Sequence, residues 1–158
     1  MDAIAIDVQN LAETEAFGQR LGARLFPGAV IALIGQLGAG KTQLARSIAV
    51  GLDIPNPAVV NSPTFVLIQE YAARLPIYHF DAYRLTSEAD FADLGAHEYF
   101  AGNGVCLVEW ADKVPATLPR ERLEVRITIT GAESRHFDVV AIGEGYLEMI
   151  SRLRRSMQ

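Results

Sequence analysis

The stretch GQLGAGKTQLARSI, residues 35–48, sets three glycines, Gly35, Gly38 and Gly40, ahead of an adjacent lysine and threonine. Gly35, four intervening residues, Gly40, Lys41 and Thr42 match the pattern of a phosphate-binding loop. The flanks agree with that reading. Residues 29–34 form a short continuous apolar run, as expected of a strand buried on both faces. Residues 40–51 read as a helix with Leu44, Ile48 and Leu52 on one side. Strand, glycine loop and helix in this order let backbone N–H groups turn inward on a phosphate, and the helix N-terminus adds a favourable partial charge. In this arrangement Lys41 reaches the β- and γ-phosphates of a nucleotide and the Thr42 hydroxyl ligates Mg²⁺.

Outward from the loop, strand-like segments are expected at residues 3–8, 64–71, 77–80 and 105–110. A hairpin is expected from residues 124–130 and 136–142. Helices are expected over 11–25, where Leu11, Phe17, Leu21 and Leu25 recur at helical spacing, and over 87–94, with Ser87 as N-cap. Shorter helical signals cover 97–100 and 146–155. DIPNPAVVNSP, residues 53–63, holds three prolines and two asparagines and reads as a loop. The order of elements predicts one α/β domain over residues 1–158, with a mixed, mainly parallel sheet flanked by helices.

Composition narrows the function classes. A net charge of −5 leaves no broad basic face for binding nucleic acid. Twelve of the fourteen basic side chains are arginine, and Lys41 is one of only two lysines. Arg152, Arg154 and Arg155 near the chain end read as a solvated helix end complementing its dipole. A single cysteine, Cys106, excludes an internal disulfide and a Cys-rich zinc site, and reads as a buried thiol. No apolar run approaches the length of a membrane span, and the cytoplasm is the expected compartment.

A phosphate-binding loop alone leaves GTPase, kinase and ATPase open. No Asp-x-x-Gly and no Asn-Lys-x-Asp occurs, which weighs against a Ras-like GTPase. No arginine-rich lid segment follows the loop, although Arg74 and Arg84 keep a small-molecule kinase in view. An ATPase needs an acidic residue at the end of a neighbouring strand, to hold Mg²⁺ and order water. Two apolar runs end in one: VCLVE in Glu109 and PIYHFD in Asp81. His79, in the same strand as Asp81, is read as a packed side chain on the opposite face. Strand alternation turns Trp110 away from Glu109 unless the strand's end breaks the pattern; either way its indole lies within a residue of the metal site.

LGAGKT (37–42), NSPTF (61–65), YHFDAYRL (78–85) and LVEW (107–110), in this order, resemble the bacterial TsaE family, also called YjeE. The resemblance covers about residues 11–135. It implies a small ATPase required for threonylcarbamoyl modification of adenosine 37 in ANN-decoding tRNAs, acting with the TsaD and TsaB proteins, and leaves open whether tRNA is contacted directly or indirectly. The cofactors implied are ATP and Mg²⁺. By the same resemblance Leu37, Gly38, Ala39, Gly40, Lys41 and Thr42 cradle the phosphates, and Thr42 and Glu109 hold Mg²⁺. Asp81 orients or deprotonates the attacking water, and Thr64 is a switch residue over the γ-phosphate. Thr14 is implied on the base side of the nucleotide and Arg135 at the nucleotide. Read as residues alone, these two are equally an ordinary helix-surface threonine and a strand-end arginine. The alternative function is a free-standing small-molecule kinase using the same loop; a further one is a sensing module that binds ATP without turnover.

Overall fold

The computed structural model describes residues 2–61 and 67–157. Among these residues seven strands form one sheet: β1 (Asp2–Val8), β2 (Val30–Gly35), β3 (Ile68–Tyr71), β4 (Ile77–Asp81), β5 (Val105–Glu109), β6 (Arg122–Ile129) and β7 (Arg135–Ile142), in the order β1-β7-β6-β2-β5-β4-β3. The central strands β6, β2, β5 and β4 run parallel, while β1, β7 and β3 are antiparallel to their neighbours. The mixed, mainly parallel sheet expected from the sequence is thus observed. Among the described residues five α-helices accompany it: α1 (Leu11–Gly22), α2 (Lys41–Gly51), α3 (Glu88–Asp93), α4 (Ala96–Phe100) and α5 (Glu144–Ser156).

The pattern within each strand explains its place. VIAL of β2 is buried on both faces, as its unbroken apolar run requires. In β6 the buried Leu123, Val125 and Ile127 alternate with Arg122, Glu124 and Arg126, so only one face of that strand is packed. Two apolar clusters result. One gathers Phe17, Leu21, Leu44, Ile48, Leu107, Val125 and Ile150 between the sheet and α1, α2 and α5. The other holds Val30, Phe80, Phe91, Cys106 and Val108 beneath α3 and α4. Phe17 and Phe137 stack at 4.9 Å, and the Val30 amide donates to the Tyr146 hydroxyl at 2.7 Å, tying α5 to β2. Cys106 is buried as expected, and burial pushes its thiol up to about 12. Among the described residues no helix is long and apolar enough to cross a membrane.

Helices start where their caps allow. Asn10 accepts from the Glu13 amide to open α1, and Ser87 accepts from Asp90 to open α3. One strand begins later, and another stops sooner, than the sequence suggested. Leu67 takes φ +67° and Trp110 φ +58°, and a side-chain-bearing residue in the left-handed region cannot continue a strand. β3 therefore begins at Ile68 and β5 ends at Glu109; residues 62–66 lie outside the described residues.

α1 and α2 approach closely because small residues line their contact. A Cβ added at Gly22 would lie 2.1 Å from the Ile48 carbonyl oxygen, and one at Gly51 would lie 2.3 Å from that of Gln19. Gly22→Ala would gain up to about 1 kcal/mol of helix propensity. The clash is with backbone, which cannot swing aside, and overpacking of this kind costs about 1–3 kcal/mol or more. Gly22→Ala is expected to lower the urea midpoint with an unchanged m-value; an unchanged midpoint would show that the helices can slide apart freely.

Candidate functional site

The sheet brings the acidic strand ends together. In the β4–β5 register Asp81 pairs with Glu109, on adjacent strands about 4.8 Å apart. Glu109 is also the register partner of Leu33, just before the glycine loop. Both carboxylates are buried, at 4% and 3% exposure. The Thr42 hydroxyl, in the first turn of α2, lies 3.0 Å from each Glu109 carboxylate oxygen.

The loop between β2 and α2 adopts the conformation its glycines permit. Gly38 and Gly40 sit at φ +79° and +101°, where a side chain would be strained. Gly40 precedes α2 without a side-chain cap, so the first amides of that helix keep their donor capacity. The Lys41 ammonium donates to the Gly35 and Gln36 carbonyls at 2.7 and 2.9 Å and lies 3.8 Å above the Trp110 ring. Burial pushes its pKa below the ordinary lysine value, against the opposing pull of Glu109, Asp112 and Asp81. A cavity of about 400 Å³ opens here, lined by Gly38, Lys41, Thr42, Asp81, Glu109 and Trp110 among others. A wider groove of about 660 Å³ runs between residues 54–59 and β3, but Glu70 is its one charged lining residue among those described. The chemistry converges in the smaller cavity.

Trp110 does not follow strand alternation. Its left-handed backbone ends β5 and brings the indole over Lys41, with the Tyr83 ring 4.8 Å away. Arg135 donates through Nε to the Ala39 carbonyl at 2.9 Å and through Nη1 to the carbonyls of Gly131 and Ser134, bracing the glycine loop against the β6–β7 turn. Thr14 is no surface threonine: it lies on the buried face of α1, 3% exposed, with its hydroxyl unpartnered among the described residues. Leu37, 75% exposed, lies at the mouth of the cavity. Thr64 lies outside the described residues.

One assignment needs correction. His79 does not face away from Asp81, because residues two apart in a strand share a face. Fully buried, it places Nε2 2.5 Å from Glu109 Oε2. The signal that could have found it is the His-x-Asp spacing at the end of an apolar run. Arg74 lies away from the glycine loop: its guanidinium donates to the Gly22 carbonyl and its amide to the Leu52 carbonyl, at the opposite end of α2 from Lys41.

The profile of the family described as threonylcarbamoyl adenosine biosynthesis protein TsaE matches residues 8–137. The chain belongs to the TsaE family. Among relatives within it, the tRNA threonylcarbamoyladenosine biosynthesis protein TsaE of Bacillus subtilis is 44% identical over 147 residues, covering 92% of this chain and 90% of that one. The protein of the same description from Treponema pallidum is 39% identical over 127 residues, covering 80% and 93%. The crystal structure of Bacillus subtilis YdiB superposes with a TM-score of 0.86 at 37% identity, covering 99% of this chain and 97% of that one. The fold of YdiB is therefore shared along nearly the whole length.

Proposed function

We propose that the chain is a Mg²⁺-dependent ATPase that serves threonylcarbamoyl modification of adenosine 37 in ANN-decoding tRNAs, in the cytoplasm and with TsaD and TsaB proteins. The observation that carries this reading is the convergence of Thr42 and Glu109 beside Asp81 at the end of the glycine loop. Relatives named for the biosynthesis of this nucleoside support the pathway.

The residues present fit a nucleotide and a hard divalent cation. A hydroxyl and two carboxylates offer only oxygen, as Mg²⁺ prefers. Two buried carboxylates side by side repel, and Lys41 is the only cationic side chain lining the cavity among the described residues. Thr42 and Glu109 would hold the metal, which supplies charge neutralisation at the β- and γ-phosphates. Leu37 to Gly40 present backbone to the phosphates, and Lys41 leaves its carbonyls to meet them. Asp81, anchored by accepting from the Tyr83 amide at 2.9 Å, orients or deprotonates the attacking water. Thr64 would serve as the switch residue at the γ-phosphate. Thr14 and Arg135 serve the rest of the nucleotide, the unpartnered Thr14 hydroxyl being the kind of buried group that calls for a ligand.

Among the described residues no arginine lines the cavity. An arginine supplied by a partner contributes about 10³–10⁵ in rate to phosphoryl transfer. Hydrolysis by the isolated chain is therefore expected to be slow and to rise when TsaD and TsaB are added, as read by phosphate release. Fast turnover that ignores the partners, or phosphate appearing on a metabolite, would overturn the proposal in favour of a kinase.

A further inference from the structure

His79 is a buried polar group that the proposed chemistry leaves unused. It does not line the cavity, yet it is fully buried and touches the carboxylate that does. Its position follows from register. His79 pairs with Leu107 across β4–β5, so Glu109 stands diagonally from it on the same face. A carboxylate oxygen accepts, so Nε2 of His79 is the donor in this contact. Oε2 is then held between the imidazole at 2.5 Å and the Thr42 hydroxyl at 3.0 Å.

The imidazole is itself held. On β3, Gln69 is the register partner of His79, and Tyr71, two residues on, shares its face. The Tyr71 hydroxyl hydrogen-bonds the Gln69 side chain and stands 3.5 Å from His79 Nδ1. A polar line thus crosses three strands, from Gln69 and Tyr71 through His79 to Glu109 and Thr42. Such a line has a cost, because a buried imidazole is tolerated only where its nitrogens find partners. An apolar residue would fill the same space between the sheet and α2 without that cost.

We propose that His79 is a positioning residue that fixes the plane of the Glu109 carboxylate for a divalent cation. The inference rests on the reading of Glu109 as the metal-facing carboxylate. A free carboxylate rotates about its last bond, and a metal that binds it must arrest that rotation. With Oε2 already pinned by His79, part of this cost is met in folding. Partners that orient a ligating group in this way are worth about 10–100-fold in metal affinity.

Mn²⁺ binding to the ADP complex, followed by electron paramagnetic resonance, tests this without turnover. His79→Leu keeps an apolar filling and removes the donor; it is expected to weaken Mn²⁺ by about 10–100-fold. Its affinity for ADP without metal should match the parent. His79→Gln, whose amide can donate to Oε2, should recover most of the loss. In the unaltered protein, long-range ¹⁵N correlation spectra should show Nε2 of a buried imidazole protonated. Parent-like Mn²⁺ affinity in His79→Leu, an equal loss in both variants, or an unprotonated Nε2 would overturn the proposal. Glu109→Gln serves as the reference: if it too binds Mn²⁺ like the parent, the metal-facing role of Glu109 fails, which is a different result from failure at His79 alone.

Discussion

Lys41→Ala is expected to weaken binding of Mg²⁺-ATP by roughly 100-fold, about 3 kcal/mol. Lys41 is the only cation lining the cavity among the described residues, and its ammonium lies on the Gly35 and Gln36 carbonyls at the mouth of α2. Removing it leaves phosphate charge facing Asp81 and Glu109 with only backbone dipoles in compensation. Lys41→Arg keeps the charge but replaces a compact ammonium with a planar fork, so recovery should be partial. Calorimetry is the measurement, because the indole 3.8 Å from Nζ makes the emission of the ligand-free variant differ on its own account. In the parent protein that proximity is useful. A phosphate that draws Lys41 away from Trp110, the only tryptophan, should change its fluorescence with no other indole contributing. Unchanged ATP affinity in Lys41→Ala would sink the phosphate-loop reading.

The parts of this architecture that were legible in the sequence are those fixed by local chemistry. Gly38 and Gly40 occupy positive φ because the loop demands it, and their spacing to Lys41 survives any tertiary context. Asp81 and Glu109 were legible because each ends an apolar run, and the parallel register then sets them side by side. Ser87 was legible as a cap because its hydroxyl acts within one turn. What escaped depended on partners distant in sequence or on single backbone angles. Nothing local tells that Leu67 and Trp110 turn left-handed and cut their strands short. Arg135 reads as a strand-end arginine until the sheet carries it to the Ala39 carbonyl, 96 positions away in sequence. His79 differs, since its parity with Asp81 is local; what no local pattern gives is its contact with Glu109 on the neighbouring strand β5.

Glu109→Gln should separate metal binding from nucleotide binding. Its side chain is 3% exposed, and glutamine keeps its size while replacing one acceptor oxygen with a donor. The charge lost is one of a repelling buried pair, so without metal the variant should bind ATP at least as tightly as the parent. With Mg²⁺ present the order reverses. A metal acting on a phosphoryl group is worth several kcal/mol of transition-state stabilisation, and about 3 kcal/mol corresponds to about 100-fold in rate. Partner-stimulated hydrolysis is therefore expected to fall by about 100-fold or more, and to lose its steep dependence on Mg²⁺. Asp81→Asn gives the contrast. If Asp81 acts on water and Glu109 on metal, Asp81→Asn slows turnover at every Mg²⁺ concentration and leaves the midpoint of the Mg²⁺ titration in place, whereas Glu109→Gln shifts that midpoint upward. Phosphate release across a Mg²⁺ series reads both. Identical titration midpoints for the two variants would mean that the paired carboxylates share one role, and a parent-like rate in both would remove them from the chemistry.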